Sequence, residues 1–170
     1  MTTPVAGTYP PYFYTYIKLA DGASVNDAIE NYSQHLNDFF LQISEEQSTF
    51  RYAKNKWSIK EMLQHIIDAE RIFAFRALSI ARGEQTPLPG FEEDDYAAAS
   101  KADNRSWQSL TEEFIATRKS TDLMLQSFTD EQLDRSGTTN GHANTAVAIA
   151  FVIFGHALHH ISVVKERYLV

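Results

Sequence analysis

The 170-residue chain contains no cysteine. Disulfide scaffolds, thiolate zinc sites, iron–sulfur clusters and a cysteine nucleophile are thereby excluded. Any thiol chemistry would have to import its sulfur. Positive charge is also scarce: 15 Lys and Arg stand against 22 Asp and Glu, a net charge of −7. Binding a nucleic-acid backbone depends on the opposite balance, so nucleic acid is not an expected partner. The longest apolar run, 146–158, is broken by Gly155 and His156 and is shorter than the roughly 20 residues a spanning helix needs. Met1-Thr2-Thr3-Pro4 does not open a signal peptide. The expectation is a soluble, cytoplasmic protein with no membrane partner. The chain also lacks a Gly-rich phosphate loop, a Gly-x-Ser-x-Gly turn and the paired Glu-x-x-His motifs of di-iron bundles.

What is present is an ordinary globular mix, 44% apolar and 22% charged, in a chain sized for one core. Residues 1–23 read as an irregular arm. Pro4, Pro10 and Pro11 oppose a helix there. Tyr9, Tyr12, Tyr14 and Tyr16 are expensive to leave in water, so the arm should pack on the body or on a second subunit. Four segments then show helical periodicity, at about 24–44, 58–82, 104–127 and 144–169. Ser58 and Glu61 have capping-box spacing at the start of the second, and Gly83 suits its end. The fourth is apolar on nearly all sides in its first half and should be the most buried. Thr129-Asp130-Glu131-Gln132 reads as a short capped turn. The predicted fold is all-α: a four-helix bundle over 24–170, with a long crossover at 84–103 between its second and third helices.

Six histidines are unevenly placed. His156 and His160 are four residues apart, so they project together on one helix face. That face continues the apolar line of Ile149, Ile153 and Val163. His65 borders the apolar face of the second helix. It lies about 10 Å from that helix's start, and His160 lies about 12 Å from the end of the fourth. If those helices run antiparallel, as in an up-down-down-up bundle, the three imidazoles come level; if parallel, His160 would lie about 22 Å from the matching end. Burying imidazoles without partners costs free energy. Two readings follow: satisfied core histidines, or three neutral ligands to one divalent cation with an open coordination position. Zinc and nickel both accept imidazole. His159 reads as a surface or interface residue, and His35 and His142 as solvated or capping residues.

Two stretches carry more than periodicity: Lys56-Trp57-Ser58-Ile59-Lys60-Glu61-Met62-Leu63-Gln64-His65 and Gly155-His156-Ala157-Leu158-His159-His160. In them the chain resembles the DinB superfamily of four-helix bundles. Leu88-Pro89-Gly90-Phe91, Glu70-Arg71 and Arg76-Ala77-Leu78 add to it. The resemblance covers about 25–169 and leaves the arm outside. It implies an up-down-down-up bundle, often dimeric, in which a divalent metal is held at positions matching His65, His156 and His160. It also implies a small-molecule enzyme, with thiol-dependent transferases and isomerases that use an external low-molecular-weight thiol as the first reading. A metal-dependent hydrolase, or a noncatalytic dimeric stress protein that binds a metal or small molecule, is the alternative.

Some weaker candidates remain. Asp68, three residues after His65, and Glu61, four before it, are placed to hold the second ring nitrogen of His65. Asp68 could instead be a base or a ligand. Arg71 and Arg76 could meet a substrate carboxylate, or pair with Glu70 or the acidic run Glu92-Glu93-Asp94-Asp95, which itself reads as solvated.

Overall fold

The computed structural model describes residues 3–169; the first two residues of the expected arm, and Val170 at the end of the expected bundle segment, lie outside the described residues. The arm enters a 3-10 turn, Pro11–Phe13, that runs into α1 (Tyr14–Ile17). Then come α2 (Val25–Leu41), α3 (Glu45–Ser48), α4 (Ile59–Ala81) and α5 (Glu93–Ser100). A 3-10 turn, Ala102–Asn104, precedes α6 (Trp107–Gln126) and α7 (Asp130–Asp134). A hairpin of β1 (Ser136–Thr139) and β2 (His142–Thr145) leads into α8 (Ala146–Arg167).

The four long helices are α2, α4, α6 and α8, and each begins at a hydroxyl that accepts a bond from the backbone of its first turn: Ser24, Ser58, Ser106 and Thr145. Such a cap contributes about 1 kcal/mol. At Ser58 the expected capping box is complete, with Glu61 bonding back to the Ser58 amide. α4 stops at Gly83, whose φ of +90° lets its amide and that of Glu84 close onto Ile80 and Ser79. Ser44 with Gln47 at α3 and Thr129 with Gln132 at α7 form two more boxes, the latter at the expected capped turn.

End-to-end contacts set the direction of each helix. Tyr168, at the end of α8, donates to the Trp57 carbonyl just ahead of α4 at 2.9 Å, so α4 and α8 are antiparallel. The indole of Trp107, at the start of α6, reaches the Phe40 carbonyl near the end of α2. Lys60 near the start of α4 bonds the Arg105 carbonyl ahead of α6, so these two run parallel. The result is the up-down-down-up order, with the 84–103 crossover carrying α5. α8 is the core helix. Residues 146–157 are all buried, and each full burial of an Ile, Val or Phe side chain contributes about 1.5–3 kcal/mol. Contrary to the expectation from its interrupted run, α8 is long and apolar enough for a membrane span, but 72% of that window is enclosed by the bundle.

Two elements differ from expectation. Pro11 does not keep the arm out of a helix; it starts one, because at a first helical position its missing amide has no bond to lose. Residues 136–145 form a hairpin closed by Asn140 (φ 49°) and Gly141 (φ 74°). This is the Asn-Gly pair that favours a two-residue hairpin turn. The Leu88 backbone pairs with Thr138 and Asn140 across this hairpin and so ties the crossover to it.

Candidate metal centre

His65 sits on the second turn of α4, and His156 and His160 on successive turns of α8. The antiparallel contact brings all three level. The Nε2 atoms of His65 and His156 are 3.1 Å apart, as are those of His156 and His160. The three ligand atoms all lie within 4.8 Å of one another. His65 and His156 are 3% and 5% exposed, and His160 is half-buried.

Hydrogen bonds alone do not account for this convergence. An imidazole Nε2 offers one in-plane function, a proton or a lone pair. The Nε2 of His156 faces two neighbours and can match only one. A common cation would accept all three lone pairs. Nitrogens bound to zinc at 2.0–2.1 Å in tetrahedral geometry stand about 3.4 Å apart, close to the spacing found. Protonation is suppressed as such a site requires. Desolvation pushes the pKa of His65 down to about 4, partly countered by Asp94. His156 and His160 are driven well below the ordinary range, first by desolvation and then by the other imidazoles. The donor set therefore fits a divalent cation with three protein ligands. The buried Nδ1 of His160 lacks a hydrogen-bond partner.

Aromatic rings fix the imidazoles in place. Trp57 lies 4.9 Å from His65, and Phe73 and Tyr16 lie 5.7 and 5.5 Å from His156. A cleft of about 350 Å³ opens in front of His65 and His156, within the range of small-molecule sites. Its walls include Phe73 and Arg76 of α4, Phe91 and Glu93 of the crossover, Asn140 of the hairpin, and Tyr12, Phe13 and Tyr16 of the arm. The arm thus packs on the body and forms part of this wall. The tyrosines are not what buries it: Phe13 is 4% exposed, Tyr9 and Tyr16 are half-buried, and Tyr12 and Tyr14 are exposed, against the expectation for them.

The remaining candidates fall elsewhere. Asp68 accepts from Gln64 at 2.9 Å and feels Arg71, Glu113 and Arg105, so it faces α6 and is not bonded to His65; desolvation raises its pKa. Glu61 serves the cap and pairs with Arg51. Arg71 pairs with Glu113, not with Glu70 or the acidic run. Glu70 instead pairs with Arg118, which also holds Asp122, in a buried cluster that the sequence reading missed. Arg76 donates to the Pro89 carbonyl at 2.8 Å and faces the cleft. His159 is exposed beside the Tyr16 ring, while His35 and His142 are exposed. The acidic run forms the exposed first turn of α5.

The profile of the DinB superfamily matches residues 27–164, which contain all three imidazoles. The chain belongs to the DinB superfamily. A protein of Oceanobacillus iheyensis named "putative metal-dependent hydrolase" is 23% identical over 146 residues, which cover 81% of this chain and 79% of that protein. Among solved structures, YfiT from Bacillus subtilis, described as "a probable metal-dependent hydrolase with an unusual four-helix bundle topology", superposes with a TM-score of 0.71 at 15% identity, covering 97% of this chain and 90% of YfiT. The mycothiol-dependent maleylpyruvate isomerase superposes with a TM-score of 0.61 at 12% identity, covering 93% of this chain and 62% of the isomerase. At these identities the two structures establish a shared fold.

Proposed function

We propose that this DinB-superfamily chain is a metal-dependent enzyme acting on a small molecule. In this reading His65, His156 and His160 hold one divalent cation, zinc or nickel, and the chemistry is transfer or isomerisation that uses an external low-molecular-weight thiol. The observation that carries it is the meeting of three neutral Nε2 atoms, two pairs at 3.1 Å, with His65 and His156 lining a cleft. When bound, the cation supplies Lewis-acid activation, lowering the pKa of a thiol or water at the open position. The chain's own residues do the rest. Burial keeps the imidazoles unprotonated near pH 7. Trp57, Phe73 and Tyr16 hold the rings and limit water. Phe73, Phe91 and Phe13 line the cleft with apolar surface for a substrate body. With no cysteine in the chain, the thiol comes from solution.

A second reading, hydrolysis, is favoured by the names of the Oceanobacillus and Bacillus relatives. One experiment separates them. Zinc- or nickel-loaded protein is incubated with low-molecular-weight thiols and electrophiles, and in parallel with ester and amide substrates. The proposal expects thiol consumption that stops on chelation and in H156A. Hydrolysis without thiol consumption would move the assignment to the second reading. A metal-loaded protein inert to both panels would overturn the enzyme assignment in favour of a binding protein.

A further inference from the structure

Arg76 is 5% exposed. No carboxylate pairs with it among the described residues, in contrast to Arg51, Arg71, Arg105, Arg118 and Arg135, each of which has an acidic partner. Its bonded partner is the Pro89 carbonyl, which uses one of the five N–H donors of a guanidinium. Its guanidinium carbon lies 5.7 Å from the Phe73 ring and 5.8 Å from the Phe91 ring, and these are its cation–π contacts. A buried, uncompensated cation is a strongly unfavourable arrangement for a fold to keep. An arginine can shed its charge only at very high pH, so the cost is not relieved by deprotonation.

The side chain is nonetheless held firmly. The Pro89 carbonyl follows Leu88, whose backbone is fixed to Thr138 and Asn140 of the hairpin. Gly90 leaves room for the Asn140 side chain, which would lie 2.3 Å from a Cβ at that position. The held guanidinium lines the same cleft as His65 and His156. Phe73 stands between the two ends, 5.7 Å from the His156 ring and 5.7 Å from the guanidinium carbon. The gap between them is therefore at most twice that distance, the span of a small organic molecule.

We infer that Arg76 is the anion anchor of this cleft and that its substrates carry a carboxylate, which accepts from the guanidinium N–H donors that Pro89 leaves free while the reacting group reaches the imidazoles. A planar carboxylate suits the guanidinium fork, and the Phe73 and Phe91 rings suit an apolar body beside it. Glu92 and Glu93 line the same cleft and disfavour a phosphate dianion. Arg76 is here a specificity residue, and the inference rests on the proposed reading of the histidine centre for the position of the reacting group.

The test uses the full-length, metal-loaded protein and three probes measured by calorimetry: benzoate, its neutral counterpart benzamide, and inorganic phosphate. Benzoate should bind the native protein at least about tenfold more tightly than the other two, the size expected of a charge-assisted bond. R76M should lose that preference while retaining its metal, and R76K should keep part of it. Equal affinity for benzoate and benzamide would overturn the inference, as would tighter binding of phosphate or an undiminished preference in R76M. Should R76M fail to fold, R76K and chelated native protein decide: without its cation the native protein should still prefer benzoate and R76K should prefer it less, and loss of the preference on chelation would overturn the inference. The same titration on chelated protein separates the two claims. A preference for benzoate that depends on Arg76 in a protein unable to hold metal would leave the anchor standing and remove the metal centre.

Discussion

Three imidazoles in contact at a largely buried site favour the neutral form, and this ties stability to pH. Desolvation pushes the pKa of His65 to about 4 from an ordinary 6.5, so the unfolded chain takes up that proton first. In metal-stripped protein the contribution is intact above about pH 6.5 and is lost as pH falls towards 4, to a maximum of about 3 kcal/mol from this residue. Urea melts of stripped protein at pH 7.5 and pH 5 should show the loss, and H65Q should reduce it; identical pH dependence in the two proteins would contradict the assignment. The histidines were legible because spacing along a helix and depth in a bundle are both countable from sequence. Arg118 was not. It is fully buried, bonded to Glu70 and Asp122, with its guanidinium carbon 4.7 Å from the Phe154 ring. In a list of residues it reads as another surface charge paired to Asp122 four positions on, since only the packing of α6 on α4 and α8 buries it and supplies Glu70 and Phe154. R118A would leave two buried carboxylates without their cation and should cost about 3–5 kcal/mol in equilibrium unfolding. A cost under 1 kcal/mol would show that water reaches them.

Among the elements, the long helices were readable because each combines a side-chain cap with a sustained apolar stripe. The hairpin and the arm were harder. The Asn140-Gly141 turn signal was present, but the strands beside it are only four residues each and carry little periodicity. The docking of α1 depends on a single absent side chain. A Cβ on Gly155 would lie 2.1 Å from the Tyr16 carbonyl oxygen, so α1 can rest on α8 only where α8 has none. G155A should displace the arm, cost about 1–3 kcal/mol by overpacking, and raise amide exchange in residues 11–20 while leaving α4 protected. Unchanged exchange in the arm would refute this account of its docking. Because Tyr12, Phe13 and Tyr16 line the cleft, the same variant should also weaken benzoate binding.

For the whole molecule, chain order is what assembles the site. An up-down-up-down bundle would run α4 and α8 parallel and leave His65 and His160 at different levels; the 84–103 crossover makes them antiparallel and also brings Pro89, Phe91 and α5 over the end of the cleft, where they meet the hairpin. That convergence was not legible, because it joins loops that are distant in sequence. Two turns of α8 and one residue of α4 are cross-linked if they share a cation, so metal and fold are thermodynamically coupled. Zinc at about 100 times its dissociation constant should stabilise the protein by about 2.7 kcal/mol, and chelation should lower Tm accordingly. The most direct test of the central claim is the metal content of untagged protein, loaded with zinc or nickel and exhaustively dialysed, measured by mass spectrometry beside H65A, H156A and H160A. The account predicts about one ion per chain in the native protein and none in H156A. A native protein that returns no metal, or variants that retain as much as it does, would contradict it.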